Sequence, residues 1–223
     1  MKKFKLTSEF IVDISGVKLF RIKALIEFGN VKAGDLGGYI EKEENLSHMG
    51  DAWVSGDARI SGDAQVFGDA WVFGNARVFG DAWVFGNARV SGNAQVFGNA
   101  RVFGNAWVSG NARVSGDTQV FGDARVFGNA WVSGNARVFG DAQVSGDARV
   151  SGDKDYAYAH GFGSCNRTTT FFRLKDGDVG VRCGCFYGTL AQFRDKVCET
   201  HGETKKAQEY LMLADLMEIR FKN

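Results

Sequence analysis

Between residues 50 and 151 the apolar positions recur every six residues. The unit Gly-(Asp/Asn)-Ala-x-Val-(Phe/Ser) repeats seventeen times without interruption, and only Ile60 for Val and Thr118 for Ala depart at the fixed positions. Ala and Val lie two apart, so in an extended chain they share one face of the pleat. The variable residue and the Phe or Ser share the other face. Gly followed by Asp or Asn is corner chemistry, because these residues tolerate the backbone of a tight turn. Each copy therefore predicts a short strand and a corner, one side of a polygon. Ala and Val line its inside, while Trp, Arg, Gln, Phe and Ser face out. Repetition at this period implies a quasi-one-dimensional stack.

The phenylalanines choose the number of sides. With eighteen residues per coil, Phe67, Phe85, Phe103, Phe121 and Phe139 fall in one column that holds Phe in every copy. The other two columns hold only Phe73 and Phe127, and Phe79 and Phe97. A four-sided coil of twenty-four residues produces no uniform column. Three sides per coil give a little under six coils, roughly 27 Å long at about 4.8 Å per coil. The two ends are open edges that need caps.

The flanks break the period. Residues 1–49 predict a small β cap, with alternation in Leu19–Phe28, and Ile40 and Leu46 already stand six apart as in an irregular first coil. Residues 152–223 predict a ββαα segment: a strand at Thr168–Leu174, a turn at Lys175–Asp178 and a strand at Val179–Phe186. A helix from Leu190 to near Gly202 and a second from Thr204 to Ile219 complete it.

Composition narrows the partners. Charge is nearly balanced at +1, with nine Asp and eight Arg inside the repeats, so binding of long duplex nucleic acid, which rests on net positive charge, is not expected. No apolar run reaches the roughly 18 residues of a membrane span, and the first residues lack the core of a signal peptide. With four cysteines in 223 residues, a disulfide framework is not expected and a cytoplasmic setting is.

Val72-Phe73-Gly74-Asn75-Ala76-Arg77 resembles the hexapeptide repeat of left-handed parallel β-helix proteins. The lead-in Ala33-Gly34-Asp35-Leu36-Gly37-Gly38-Tyr39-Ile40-Glu41-Lys42-Glu43-Glu44-Asn45-Leu46-Ser47 narrows the resemblance to the YdcK-like group of bacterial and phage-borne proteins. The resemblance implies a mainly β chain, a three-sided left-handed parallel β-helix with the two flanking segments. Asn166-Arg167-Thr168-Thr169 and Cys183-Gly184-Cys185-Phe186 make the tail similar to segments of phage and prophage proteins.

Acyl transfer is the activity attached to this fold, and it needs a histidine base beside the coils. The repeats hold no histidine; His48 precedes them, and His160 and His201 follow. Three-histidine zinc chemistry has no ligands in the coils. Cys183 and Cys185 would share a strand face and are weak metal candidates, with Cys165, Cys198, His160 and His201 as further donors; buried structural thiols are the plainer expectation. No cofactor is expected. The alternation of Gly-Asp with Gly-Asn suits corner geometry better than calcium. A single threonine in the repeats, Thr118, does not suit ice binding.

The outward faces carry the remaining candidates. The Phe column is an apolar stripe suited to self-association into a dimer or trimer, to a foreign partner, or to an intramolecular aromatic ladder. Arg59, Arg77, Arg113 and Arg149 share a column interrupted by Gln95 and Trp131. With Trp53, Trp71 and Trp107 they offer phosphate contact and stacking for a small nucleotide, or they simply pair with corner aspartates. The expected role is a non-catalytic scaffold or binding protein, phage- or prophage-associated. The alternatives are an acyl-CoA-dependent acyltransferase and a phage counter-defence protein that sequesters a nucleotide signal or a host component.

Overall fold

The computed structural model describes residues 1–164 and 166–222. An antiparallel hairpin, β1 (Phe4–Val12) and β2 (Lys18–Ala24), leads to β3 (Leu36–Ile40). Seventeen two-residue strands follow at six-residue intervals, β4 (Trp53–Val54) to β20 (Arg149–Val150). The tail holds β21 (Tyr156–Phe162), β22 (Arg167–Arg173), β23 (Val179–Cys183), β24 (Phe186–Thr189), α1 (Leu190–His201) and α2 (Lys205–Phe221).

From β4 to β17 each repeat strand pairs in parallel with the strand eighteen residues on, as in Trp53↔Trp71 and Val90↔Val108. Three sheets result, with orders β19-β16-β13-β10-β7-β4, β18-β15-β12-β9-β6 and β1-β2-β3-β5-β8-β11-β14-β17-β20. The chain is thus a three-sided parallel β-solenoid of about six turns, and the third sheet runs on into the N-terminal hairpin. Backbone bonds tie each coil to the next, for example Trp71 N–H to the Ala88 carbonyl at 2.9 Å and Asn75 N–H to Gly92 at 2.8 Å.

Inside, the alanines and valines are fully buried. Thr118, the one polar residue in that lining, is tolerated because its Oγ1 donates to the Ser115 carbonyl at 2.6 Å. At the corners Gly98 shows why glycine recurs. Its φ is +68°, and a Cβ there would lie 3.0 Å from the nitrogen of Gly116 in the next coil.

A solenoid end leaves a rung of carbonyls unpaired, a cost of about 1–3 kcal/mol for each one buried without a partner. Side chains supply the missing donors at the N-terminal end. Lys3 Nζ, fully buried, donates to the carbonyls of Gly50 (3.1 Å) and Ala52 (2.8 Å). Asn45 Nδ2 does the same for Gly62 (3.0 Å) and Ala64 (2.9 Å). On the third side Tyr39 N–H serves Ala58. Ile40 and Leu46 do begin the first coil, opposite Ile60 and Val66. Their offset is twenty residues rather than eighteen, because Leu46 and Val54 stand eight residues apart instead of six.

The other end is closed by the tail. Thr170 Oγ1 accepts from Gln143 N–H, Leu174 bridges Ala148, and Tyr156 and Phe172 sit in the solenoid core. Phe171 belongs to a second core with Val181, Phe193, Val197, Tyr210 and Ala214. The tail departs from the expected ββαα segment in two ways. Tyr156–Phe162 is a further strand, and Val179–Phe186 is not one strand but two. The chain reverses at Gly184 (φ +58°) and Cys185, so that Cys183 pairs with Phe186. Both helices form as expected, each opened by a threonine: Thr189 Oγ1 accepts from Gln192 N–H and Thr204 Oγ1 from Ala207 N–H.

Candidate functional site

The uniform Phe column is a stacked ladder on the outer surface. Phe67, Phe85, Phe103 and Phe121 follow one another at ring separations of 4.8, 4.9 and 4.9 Å with planes within 4° of parallel. Phe121 to Phe139 opens to 5.4 Å and 14°. The spacing equals the strand separation of a β-sheet, because identical side chains occur in identical backbone settings once per coil. The rings remain part-exposed, and Phe139, the most open, ends edge-on against Tyr158 at 5.6 Å. Beyond it Leu216 of α2 lines the same groove, and α2 also exposes Met212 and Ile219.

Two columns flank the ladder. Two residues before each Phe stand Gln65, Trp83, Arg101, Gln119 and Arg137, and two residues after stand Asp69, Asn87, Asn105, Asp123 and Asp141. Trp83 packs edge-on to Phe67 at 5.9 Å, and the Arg101 guanidinium covers the Trp83 indole at 5.2 Å.

The arginine column forms in the expected order, with Arg59↔Arg77, Gln95↔Arg113 and Trp131↔Arg149 in register. Its chemistry differs from the expected pairing with corner aspartates. Among the described residues no ion pair joins a solenoid arginine to an aspartate. Arg113 and Arg149 instead lie on the two sides of Trp131, each 6.0 Å from its ring. Arg59 and Arg77 are partly covered by the β1–β2 turn, sharing a crevice with Ile14 and Leu19.

The tryptophans do not form one exposed set. Trp53 is buried, with Phe28 edge-on at 5.4 Å, so its expected outward exposure is lost. The loop before β3 folds over it, and Gly37 makes room: a Cβ there would come within 2.7 Å of the indole. Trp71 is half-buried against the core. Trp107 and Trp131 are open and donate their indole N–H to Ser91 and Ser115, each sixteen residues earlier, at 3.0 and 3.1 Å. That spacing of Ser and Trp is a signal present in the sequence.

The corner residues also act as a group. Asn75 donates to Asn93, Asn93 to Asn111, Asn111 to Asn129 and Asn129 to Asp147. Asn105 receives from Asn87 and donates to Asp123, and Asn99 donates to Asp117. Each chain of amides ends on an aspartate, which accepts but cannot pass a proton donor onward.

His48 stands at the N-terminal end of the ladder, in an open cleft of about 640 Å³ with Glu43, Gln65, Phe67 and Trp83. Its ring stacks on Phe4, and its Nδ1 accepts from Lys3 N–H at 3.2 Å. A backbone N–H can only donate, so the neutral ring carries its proton on Nε2, which is enclosed and 4.0 Å from Glu43. Burial lowers the His48 pKa and keeps the ring neutral. Neither nitrogen of this tautomer offers a lone pair to a substrate in the cleft. His160 hydrogen-bonds Thr168 and faces Asp141.

Cys183 and Cys185 do not share a strand face, because Cys185 lies in the turn. Cys183 Sγ contacts Thr169 Oγ1 at 3.2 Å, and Cys185 and Cys198 are exposed. Cys165 lies outside the described residues. Among the described residues no three of His, Cys, Asp and Glu come together as a metal site, and no helix is long and apolar enough to cross a membrane.

The family model for the YdcK β-solenoid repeat matches residues 94–110, 106–120, 118–134 and 142–153. No curated protein matches the chain.

Proposed function

Taking as premise that the chain belongs to the YdcK β-solenoid repeat family, we propose that it is a non-catalytic scaffold whose binding surface is the ladder Phe67–Phe139. One observation carries the reading. Five part-exposed phenyl rings form an unbroken apolar stripe roughly 20 Å long on the outer surface of one side. Stacking alone rewards such a column, yet the repeat accepts Ser at the same position in the other two columns. Retaining Phe in all five copies of one column therefore points to a surface used as a whole.

The test exploits that tolerance. Phe85→Ser/Phe103→Ser/Phe121→Ser uses a residue the repeat already holds and should keep the β circular-dichroism spectrum. Light scattering should give a mass above the monomer for the wild type and the monomer for the triple variant. Equal masses would remove self-association through the ladder. Acetyl-CoA addresses the catalytic alternative: a thermal shift that His48→Ala abolishes would overturn the non-catalytic reading.

A further inference from the structure

We infer that the ladder's occupant is a second copy of this chain, packed ladder on ladder with the two solenoids parallel about a two-fold axis along their length. The inference rests on the ladder being the binding surface and adds its partner and orientation. Equal ring spacing lets two such stripes meet in either direction, so the flanking columns decide.

On one flank every residue carries a hydrogen-bond donor: Gln65, Trp83, Arg101, Gln119 and Arg137. On the other every residue offers an acceptor oxygen: Asp69, Asn87, Asn105, Asp123 and Asp141. A two-fold axis parallel to the solenoid exchanges left and right but keeps height. It sets Gln65 against Asp69 of the second copy, Trp83 against Asn87, Arg101 against Asn105, Gln119 against Asp123 and Arg137 against Asp141. Every row then pairs a donor with an acceptor. The antiparallel alternative keeps left and right but inverts height. It puts Arg101 against the other copy's Arg101, and Asp69 against its Asp141. Like charges facing across an apolar strip oppose association and suppress the wrong register. Within the chain no ion pair joins these arginines to these aspartates among the described residues. The apolar strip also continues past Phe139 through Tyr158 to Leu216, which a parallel pair brings to the same end.

Cysteine cross-linking reads the direction. In a background with Cys165, Cys183, Cys185 and Cys198 replaced by Ser, Phe85→Cys and Phe121→Cys should each form disulfide dimers alone under mild oxidation. A mixture of the two should give no additional heterodimer beyond the background of random collision. Disulfides that form only in the mixture would establish the antiparallel pair, overturning the inference while the ladder remains the interface. Disulfides in neither sample, with a scattering mass above the monomer, would move the interface off the ladder and sink both readings; a monomer would overturn the second copy as occupant and leave the ladder as a surface for another partner. Gln119→Glu supplies a second readout by placing a carboxylate opposite Asp123. It should raise the dimer dissociation constant about tenfold at low salt, and less at 0.5 M salt where such charges are screened. Antiparallel packing sets this residue against Trp83 instead and predicts little change.

Discussion

Phe171 and Phe172 are consecutive residues of β22 whose fully buried rings belong to different cores. Phe172 plugs the C-terminal mouth of the solenoid beside Tyr156, whereas Phe171 packs edge-on to Phe193 of α1 at 6.1 Å. Strand alternation makes this inevitable once β22 lies between the last coil and the helices. The strand is the shared wall of two cores.

Truncating either ring should cost about 3–5 kcal/mol, with separable consequences. Phe171→Ala should lower the helical signal at 222 nm and speed amide exchange in α1 and α2, leaving the inner coils protected. Phe172→Ala should speed exchange in β18–β20. Identical exchange patterns for the two variants would mean that the tail and the solenoid melt as one unit.

The solenoid was legible because three requirements repeat together: a glycine for the corner, and Ala and Val for a narrow interior. The spacing of Phe67 to Phe139 alone sets the coil at eighteen residues. The ends were not legible, since Lys3 and Asn45 act on carbonyls 47 and 17 residues away and no local pattern marks a side chain that imitates a rung. Cys183-Gly184-Cys185 reads as continuous strand from its apolar neighbours, although a glycine opening a two-residue loop is a hairpin signal. Trp53 reads as an outward residue because its repeat environment is ordinary and only the loop over it buries it. The ladder was read as residues; what occupies it is not written in any single chain's pattern.

Lys3 makes the N-terminal plug sensitive to pH. Burial lowers its pKa to about 8, against partial compensation from Asp51 and Asp69. Between about pH 8 and the ordinary lysine value of about 10.4, the unfolded chain holds a proton that the folded chain has released, so stability rises with pH there. Tyr156, whose pKa burial raises, works in the opposite direction above about pH 10. The urea midpoint should therefore climb from pH 7.5 to 9.5 in the wild type and stay flat in Lys3→Met. A wild-type midpoint that falls across this window contradicts the assignment.

The amide chains make the Asn and Asp corners non-equivalent. Asn111→Asp keeps the acceptor for Asn93 but loses the donor to Asn129, and should cost about 0.5–1 kcal/mol. Asp147→Asn keeps the oxygen that Asn129 needs and should change stability by less than about 0.5 kcal/mol, the range of ordinary surface substitutions. Equilibrium urea unfolding of the two variants separates the cases; equal costs would reduce the corners to turn residues alone.

The Trp131–Ser115 bond assigns a reason to serine in a column where Phe79 and Phe97 precede it. Ser115→Ala strands the indole N–H and should cost about 1 kcal/mol. Ser115→Phe removes the same acceptor but extends the stack of Phe79 and Phe97, whose rings lie 4.9 Å apart and nearly parallel. Trp83 and Phe67 already show that an indole accepts a phenyl ring sixteen residues back, edge-on. An aromatic contact of this kind is worth about 0.5–1.5 kcal/mol, enough to offset the lost hydrogen bond. Ser115→Phe should thus match the wild type more closely than Ser115→Ala in urea midpoint. The reverse order would show that steric room beside Trp131, rather than an acceptor for its N–H, is what excludes phenylalanine from position 115.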